Sequence, residues 1–193
     1  TDTRADSLRI DIDGVVHQVN DSVAVELSLR DPDGALVEQD FEVELRLDSE
    51  FSASGVVFED SGLEDAEILD DGVGIRGNLG LDGRSVVVLT STTPDELELV
   101  LSAGDANSIV RTDRADLVFE AGEMDSVEVL LPTADYTATA GQAFDVVLRV
   151  IDAFGNLVED ESARVVLFED CGGFIDEVTV VGSLTVSLAV SRA

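Results

Sequence analysis

Alternation of apolar and polar residues recurs along the chain and constrains its fold more than any other feature. It is clearest at residues 23–29, 41–47, 97–101 and 184–190. Successive side chains of an extended strand point to opposite faces, so this pattern places one row of side chains in a core and the other in water. Turn-forming stretches such as Asp31-Pro32-Asp33-Gly34 separate the runs. Many short strands with such turns predict an all-β sandwich of antiparallel strands.

One segment departs from this pattern. Ser61-Gly62-Leu63-Glu64 fits a helical capping box, in which the serine and glutamate side chains satisfy free N–H groups of the first turn. Residues 64–69 are therefore predicted to form either one or two helical turns or a polar loop.

An internal repeat divides the chain into two consecutive modules. Residues 23–38 and 144–159 align at a constant offset of 121 positions, and both segments continue past the turn with Leu-Val-Glu. The matching pairs are Val25/Val146, Leu27/Leu148, Leu29/Val150, Asp31/Asp152 and Gly34/Gly155. Self-similarity at a fixed offset marks tandem modules. We place the boundary near Gly122, which gives modules at 1–121 and 122–193.

The second module carries a family resemblance at residues 139–158. Thr139-Ala140-Gly141-Gln142, followed by Asp152-Ala153-Phe154-Gly155-Asn156-Leu157-Val158, resembles the bacterial immunoglobulin-like repeats of invasin- and intimin-type surface proteins. Gly155-Asn156 is expected to supply the positive φ angles of a tight hairpin. The resemblance implies tandem immunoglobulin-like β-sandwiches in an extracellular or cell-surface protein. The first module departs from the family turn and carries an acidic insertion at 59–71, so its assignment rests on the repeat.

The repeat also predicts that the second module is incomplete at its C-terminus. In the first module the predicted strand at 85–89 is followed by two more, at 96–101 and 115–119. The counterpart of the first of these is the run at 184–190, close to the last residue given, Ala193. A sandwich that lacks two strands exposes core side chains and unpaired backbone groups. We therefore expect module one to be closed and module two to be open at an edge or completed by strands from elsewhere.

Acidic residues dominate the charge. The chain has 42 Asp and Glu against 11 basic residues, all of them arginine, and a formal net charge of −31. Nucleic acids and anionic membrane surfaces are bound through Lys and Arg, so this charge argues against both as partners. Direct membrane insertion is not expected either, because no apolar run approaches the roughly 18 residues that a spanning helix needs.

Calcium is the one ligand for which the sequence makes a physical case, since this ion prefers carboxylate and other hard oxygen ligands. The candidate ligands lie in three aspartate-containing turns: Asp11 and Asp13, Asp31 and Asp33, and Asp70 and Asp71. No stretch has the spacing of an EF-hand loop. The alternative is a diffuse layer of counterions that screens the acidic surface.

The inventory of residues for catalysis is small. His17 and Cys171 are the only histidine and the only cysteine, and they lie in different modules. The sequence contains no nucleophile elbow, phosphate-binding glycine loop or His/Cys metal motif. We therefore predict that the chain is not an enzyme, with His17 on a strand and Cys171 as an unreactive thiol.

Three functions remain open at this stage. The first is a non-catalytic structural and display module, whose partners are neighbouring modules or chains in an extended array. The second is an adhesive module that binds a glycan or protein through loops at one end of the sandwich. The third is an accessory β-domain of a secreted hydrolase. The sequence flanking this segment would discriminate among them.

Overall fold

The computed structural model describes residues 4–48, 55–69, 72–104, 110–131, 142–168 and 174–189. Within these ranges the protein consists of fifteen β-strands and has no helix, which confirms the all-β prediction. None of the described residues belongs to a helix of the length and apolarity that crossing a bilayer requires. The chain divides into two compact units, Thr1–Glu120 and Ala121–Ala193.

The first unit contains ten strands in two sheets. The strands are β1 (Ser7–Ile12), β2 (Val16–Gln18), β3 (Val23–Arg30), β4 (Phe41–Leu47), β5 (Val56–Ser61), β6 (Glu64–Ile68), β7 (Gly74–Leu79), β8 (Arg84–Ser91), β9 (Asp95–Ala103) and β10 (Asp113–Glu120). One sheet has the order β1-β3-β8-β5 and the other the order β2-β10-β9-β4-β7-β6. Neighbouring strands are antiparallel, except that β2 and β10 run parallel.

The core of the first unit lies between these two sheets. Alternate side chains of β3 point into it, and Val25, Leu27 and Leu29 are fully buried there. Leu45 of β4 and Leu101 of β9 are paired across the second sheet and are buried equally well. In the described part of this unit, 22 apolar side chains are buried in one cluster. The alternation in the sequence therefore corresponds to an inner and an outer face of each sheet.

The second unit is smaller in its described part. Its strands are β11 (Ser126–Leu131), β12 (Ala143–Ile151), β13 (Ser162–Phe168), β14 (Phe174–Val181) and β15 (Ser183–Ala189). A three-stranded sheet has the order β11-β12-β15, and β13 pairs with β14 in a second sheet. Five apolar side chains of the described residues are buried in its core: Val146, Leu148, Val150, Val158 and Val180.

Strand pairing extends the internal repeat beyond the aligned sequence. Val23 of β3 pairs with Leu89 of β8, and Phe144, at the equivalent position of β12, pairs with Leu188 of β15. Strand β15 is therefore the counterpart of β8, and β13 corresponds to β4. In the first unit β4 lies between β7 and β9, whereas β13 has only β14 beside it among the described strands. The absence of the last strands from the second module therefore stays a prediction, since the described residues pair β13 only with β14 and other parts of this unit are not described.

The prediction for residues 64–69 was wrong in both of its forms. Residues 64–68 form β6, an edge strand that pairs with β7 across an irregular register between Glu64 and Glu67. Asp65 has a positive φ of 53° within this irregularity. All five side chains are exposed, so no burial pattern marked the strand in the sequence. Pairing with β7, not local propensity, determines this structure.

Candidate functional site

The aspartate turn repeated in both units is built around a buried carboxylate. Asp31 is 5% exposed and Asp152 is 2% exposed, although both lie in turns. Oδ1 of Asp31 accepts hydrogen bonds from the backbone N–H groups of Asp33 at 3.0 Å and Ala35 at 2.8 Å. Oδ1 of Asp152 accepts the equivalent bonds from Phe154 and Asn156, both at 2.9 Å. Backbone N–H groups take the place of water around these carboxylates. This is the hydrogen-bond pattern by which an Asx turn fixes its loop.

Each turn also needs one glycine for its backbone. Gly34 and Gly155 have φ angles of 83° and 85°, a region that side-chain-bearing residues rarely adopt. A Cβ at either glycine would meet nothing within 4 Å, so the requirement is conformational and not one of space. Asn156 was expected to share this role, yet it is not among the positive-φ residues of the described part. Its side-chain amide instead donates to Oδ2 of Asp152 at 2.9 Å.

Asp152 has a further task, because its carboxylate holds the segment that enters the second unit. The backbone N–H of Gly122 donates to Oδ2 of Asp152 at 3.0 Å, and that of Asp125 donates to the carbonyl of Ile151 at 2.9 Å. Burial favours the neutral acid, but the hydrogen bonds from Asn156, Gly122 and Phe154 outweigh it and lower the pKa of Asp152. Residues 121–125, with which the second unit begins, are therefore bonded to the end of β12 and to the turn that follows it.

The six calcium candidates occupy different environments. Asp11 lies on β1, where its carboxylate is paired with Arg9 at 2.9–3.0 Å, and Asp13 is exposed just after this strand. Asp33 is exposed, and it contacts Asp31 through its own backbone N–H, while Oδ1 of Asp31 is engaged in the turn. Asp70 and Asp71 lie outside the described residues.

The structure does not bring the described candidates together. Among the residues that it describes, no group of three or more His, Cys, Asp or Glu side chains is placed to hold one metal ion. Specific calcium binding therefore stays a prediction, and its direct test is thermal unfolding in salt.

We expect sodium chloride to raise the unfolding temperature, because screening weakens repulsion within a chain of net charge −31. If a specific site exists, millimolar calcium should raise it further than sodium at matched ionic strength. Calorimetry with calcium, magnesium and sodium series makes the comparison. Equal unfolding temperatures at matched ionic strength would reject the site and leave screening alone.

A second cluster of charge lies on the outer face of β4 and β7. Glu44, whose side chain is 13% exposed, accepts hydrogen bonds from Arg46 on its own strand and from Arg76 on β7. Burial favours the neutral acid, but the two guanidinium groups outweigh it and lower the pKa of Glu44. These contacts stabilise the sheet. They engage both carboxylate oxygens of Glu44, so this side chain is not available to a ligand.

The lowered pKa values of Glu44 and Asp152 predict acid-labile stability. Their ordinary values are 4.5 and 3.8, so the unfolded chain binds protons in a pH range where the folded protein does not. Their stabilisation is therefore complete above about pH 4.5 and is lost as pH falls through the lower folded pKa values. Denaturant unfolding from pH 7 to pH 2 measures this loss. High salt should be present, because protonation of the unpaired surface acids also relieves repulsion.

The control for this experiment is Asp152→Asn, which removes one of the two titrating groups and should flatten the acid loss of the second unit. An unchanged pH profile in Asp152→Asn would contradict the role given to this carboxylate.

A polar cavity of about 740 Å³ lies at one end of the first unit. Its charged lining consists of three arginines and four aspartates: Arg9, Arg30, Arg111, Asp6, Asp11, Asp31 and Asp113. Arg9 pairs with Asp11 and Arg111 with Asp6, and Arg30 donates a 3.1 Å hydrogen bond to the hydroxyl of Ser28. No local sequence signal predicted this cavity, because its lining comes from three segments that are far apart in the chain.

His17 lies on β2, as the sequence predicts, with its ring centroid 6.4 Å from that of Phe119. Its Nε2 is 3.4 Å from the carbonyl oxygen of Gly14. These are contacts with an apolar ring and with backbone. Cys171, the other residue singled out for its reactivity, lies outside the described residues.

Comparison with known proteins finds similarity only at the level of structure. No protein-family model matches the chain, and no curated protein sequence does. The chain is similar to the Escherichia coli adhesin FdeC, with 15% identity, 98% of this chain and 61% of that chain covered, and a TM-score of 0.46. It is similar to the Yersinia pseudotuberculosis adhesin InvE, with 15% identity, coverage of 94% and 51%, and a TM-score of 0.43.

A cohesin module from a Clostridium perfringens family 33 glycoside hydrolase is also similar, with 14% identity, coverage of 61% and 98%, and a TM-score of 0.41. The chain thus spans 61% and 51% of the length of the two adhesin chains. At these identities and TM-scores, what this chain does has to be inferred from its own residues.

Proposed function

We propose that this chain is a non-catalytic structural and display segment of a secreted or cell-surface protein. Its partners are neighbouring modules in an extended array. The observation that carries the proposal is that the carboxylate of Asp152 is engaged by the backbone N–H groups of Gly122, Phe154 and Asn156 and is not directed at a ligand.

The use made of the buried carboxylates supports this proposal. Among the described residues, Asp31 and Asp152 are the acidic residues that are buried, and both are engaged by backbone donors. A catalytic carboxylate needs an oxygen directed at a substrate. These two are instead directed at their own turns, so their chemistry is that of loop stabilisation.

The surface charge fits an extracellular setting. Exposed arginines pair with acids on neighbouring strands, as Arg114 does with Glu98 and Arg164 with Glu177. Such pairs contribute little to stability individually. The remaining acids keep the surface hydrated and make modules repel one another sideways, which favours a soluble array over lateral aggregation.

A display assay tests this function. The chain is inserted between a surface anchor and a peptide epitope in a bacterial host, and antibody binding to intact cells is measured. We expect strong binding that a double variant, Asp31→Ala with Asp152→Ala, reduces because its modules unfold and are proteolysed. Equal binding for the folded and the unfolded spacer would contradict a structural role, as would turnover of a substrate that a single carboxylate substitution abolishes.

A further inference from the structure

Aspartate is followed directly by glycine at four places in the chain, and this dipeptide can rearrange chemically. The backbone nitrogen of the glycine attacks the Cγ carbon of the preceding aspartate, and the missing Cβ makes this approach easy. The reaction requires a backbone N–H and a carboxyl group that are not held by other bonds. Three of the pairs lie in the described part of the chain and one does not, because Asp71 lies outside it. The four pairs are Asp13-Gly14, Asp33-Gly34, Asp71-Gly72 and Asp82-Gly83.

Two of the three described pairs are held in their turns by a backbone hydrogen bond of the glycine. The N–H of Gly34 donates to the carbonyl oxygen of Asp31 at 3.0 Å, and the N–H of Gly83 donates to that of Gly80 at 2.7 Å. Before either nitrogen can attack the aspartate that precedes it, this hydrogen bond has to be broken. Breaking it costs free energy and therefore slows the rearrangement.

The third pair, Asp13-Gly14, lacks this restraint. It lies in the short connection between β1 and β2, and Asp13 is exposed. Within the described part of the chain, neither the N–H of Gly14 nor the carboxylate of Asp13 has a hydrogen-bond partner. Gly14 is contacted through its carbonyl oxygen, which lies 3.4 Å from Nε2 of His17. A Cβ at Gly14 would meet only this ring, at 3.7 Å, so there is room beside the glycine.

We propose that Asp13-Gly14 is a site of spontaneous aspartate isomerisation, and that this modification weakens the pairing of β2 with β10. The nitrogen of Gly14 forms a bond to Cγ of Asp13, and the N–H proton and the carboxyl hydroxyl leave together as water. Water then adds to the main-chain carbonyl of the resulting succinimide and breaks its bond to the nitrogen. The product, isoaspartate, has the same atoms as aspartate, but the chain continues through Cγ. The reaction needs no oxidant, reductant or partner, and it does not depend on the display role.

Isoaspartate adds one methylene to the main chain where it passes from one sheet of the first unit to the other. Strand β1 belongs to the sheet with β3, and β2 pairs with β10 in the second sheet. The N–H of Val118 on β10 donates to the carbonyl oxygen of Val15 at 2.8 Å, and Val118 is also the partner of Val16. A longer connection displaces Val15 and weakens this hydrogen bond. Because β2 has only three residues, a shift at its start affects the whole strand.

The test incubates the purified full chain for weeks at neutral pH, in native buffer and in urea. Peptide mapping with an isoaspartate-specific methyltransferase measures the modified fraction at Asp13, Asp33 and Asp82. In the folded chain we expect about fivefold more isoaspartate at Asp13 than at either of the others, because their glycines must first give up a hydrogen bond. In urea the three fractions should become similar. Equal fractions in the folded chain overturn the proposal, as does an excess at Asp13 that is as large in urea as in native buffer.

The matched control is Asp13→Glu, which keeps the charge but has a longer side chain that closes a ring far less readily. Amide hydrogen exchange of Val118 is compared in fresh and aged samples of both chains. We expect exchange of Val118 to become faster in aged wild-type chains that carry isoaspartate and to stay unchanged in the variant. Unchanged exchange in the modified wild-type chains overturns the proposal. Equal acceleration in aged Asp13→Glu also overturns it, because the loosening of β2 would then have another cause.

Discussion

Replacing Asp152 by alanine is expected to lower the free energy of unfolding of the second unit by about 3 kcal/mol. The substitution leaves the N–H groups of Gly122, Phe154 and Asn156 without their acceptor at a position that is 2% exposed. It also deletes the acceptor of the Asn156 side-chain amide. Denaturant unfolding followed by probes specific to each unit measures the effect.

Asp31→Ala is the matched variant in the first unit. The carboxylate of Asp31 accepts backbone bonds from Asp33 and Ala35, against three such bonds at Asp152, so we expect a smaller loss of about 2 kcal/mol, confined to that unit. Asp152→Asn should fall between wild type and alanine, because its amide oxygen can still accept from the turn while its amide nitrogen faces the N–H of Gly122. Losses below about 0.5 kcal/mol for both alanine variants would mean that water replaces the carboxylates.

The second large effect is expected from truncating a core leucine of the first unit. Leu89→Ala should cost the first unit about 3 kcal/mol, because Leu89 is fully buried between two covered sheets and its removal leaves a cavity. Leu188→Ala, at the equivalent pairing position of the second unit, should cost about 1 kcal/mol, since its side chain is only partly buried.

Unfolding of the full chain with unit-specific probes gives both values. Comparable costs at the two positions would show that the core around β15 is as well covered as that around β8.

The strands that the sequence predicted well are those with one buried face. Residues 41–47 alternate from end to end, and β4 has those bounds, because each inward side chain enters a packed core. Strand β6 was missed for the opposite reason, since all of its residues face water and its structure comes from pairing with β7. Local sequence predicts whether a residue is buried more reliably than it predicts which strand its backbone pairs with.

The site was predictable only in part. The repeat drew attention to Asp31 and Asp152 together, yet the chemistry assigned to Asp31 was that of a calcium ligand. Whether a turn aspartate faces solvent or its own backbone depends on the φ of the glycine three residues later and on the donors that follow. An Asp followed three positions later by Gly in both repeats was the signal for an Asx turn. The link from Asp152 to Gly122 spans thirty residues and had no local signal.

The parallel contacts between the start and the end of the first unit have a mechanical consequence. Residues near the start of this unit are bonded to the segment 111–120 at two places. The backbone of Arg111 is bonded to Asp6 and Leu8, and β10 pairs with β2. Tension applied at the two ends of this unit pulls parallel neighbours in opposite directions. The force is then shared by several hydrogen bonds that are loaded in shear, and these bonds do not break one after another. A unit connected in this way resists stretching at its termini better than a hairpin whose two ends lie side by side.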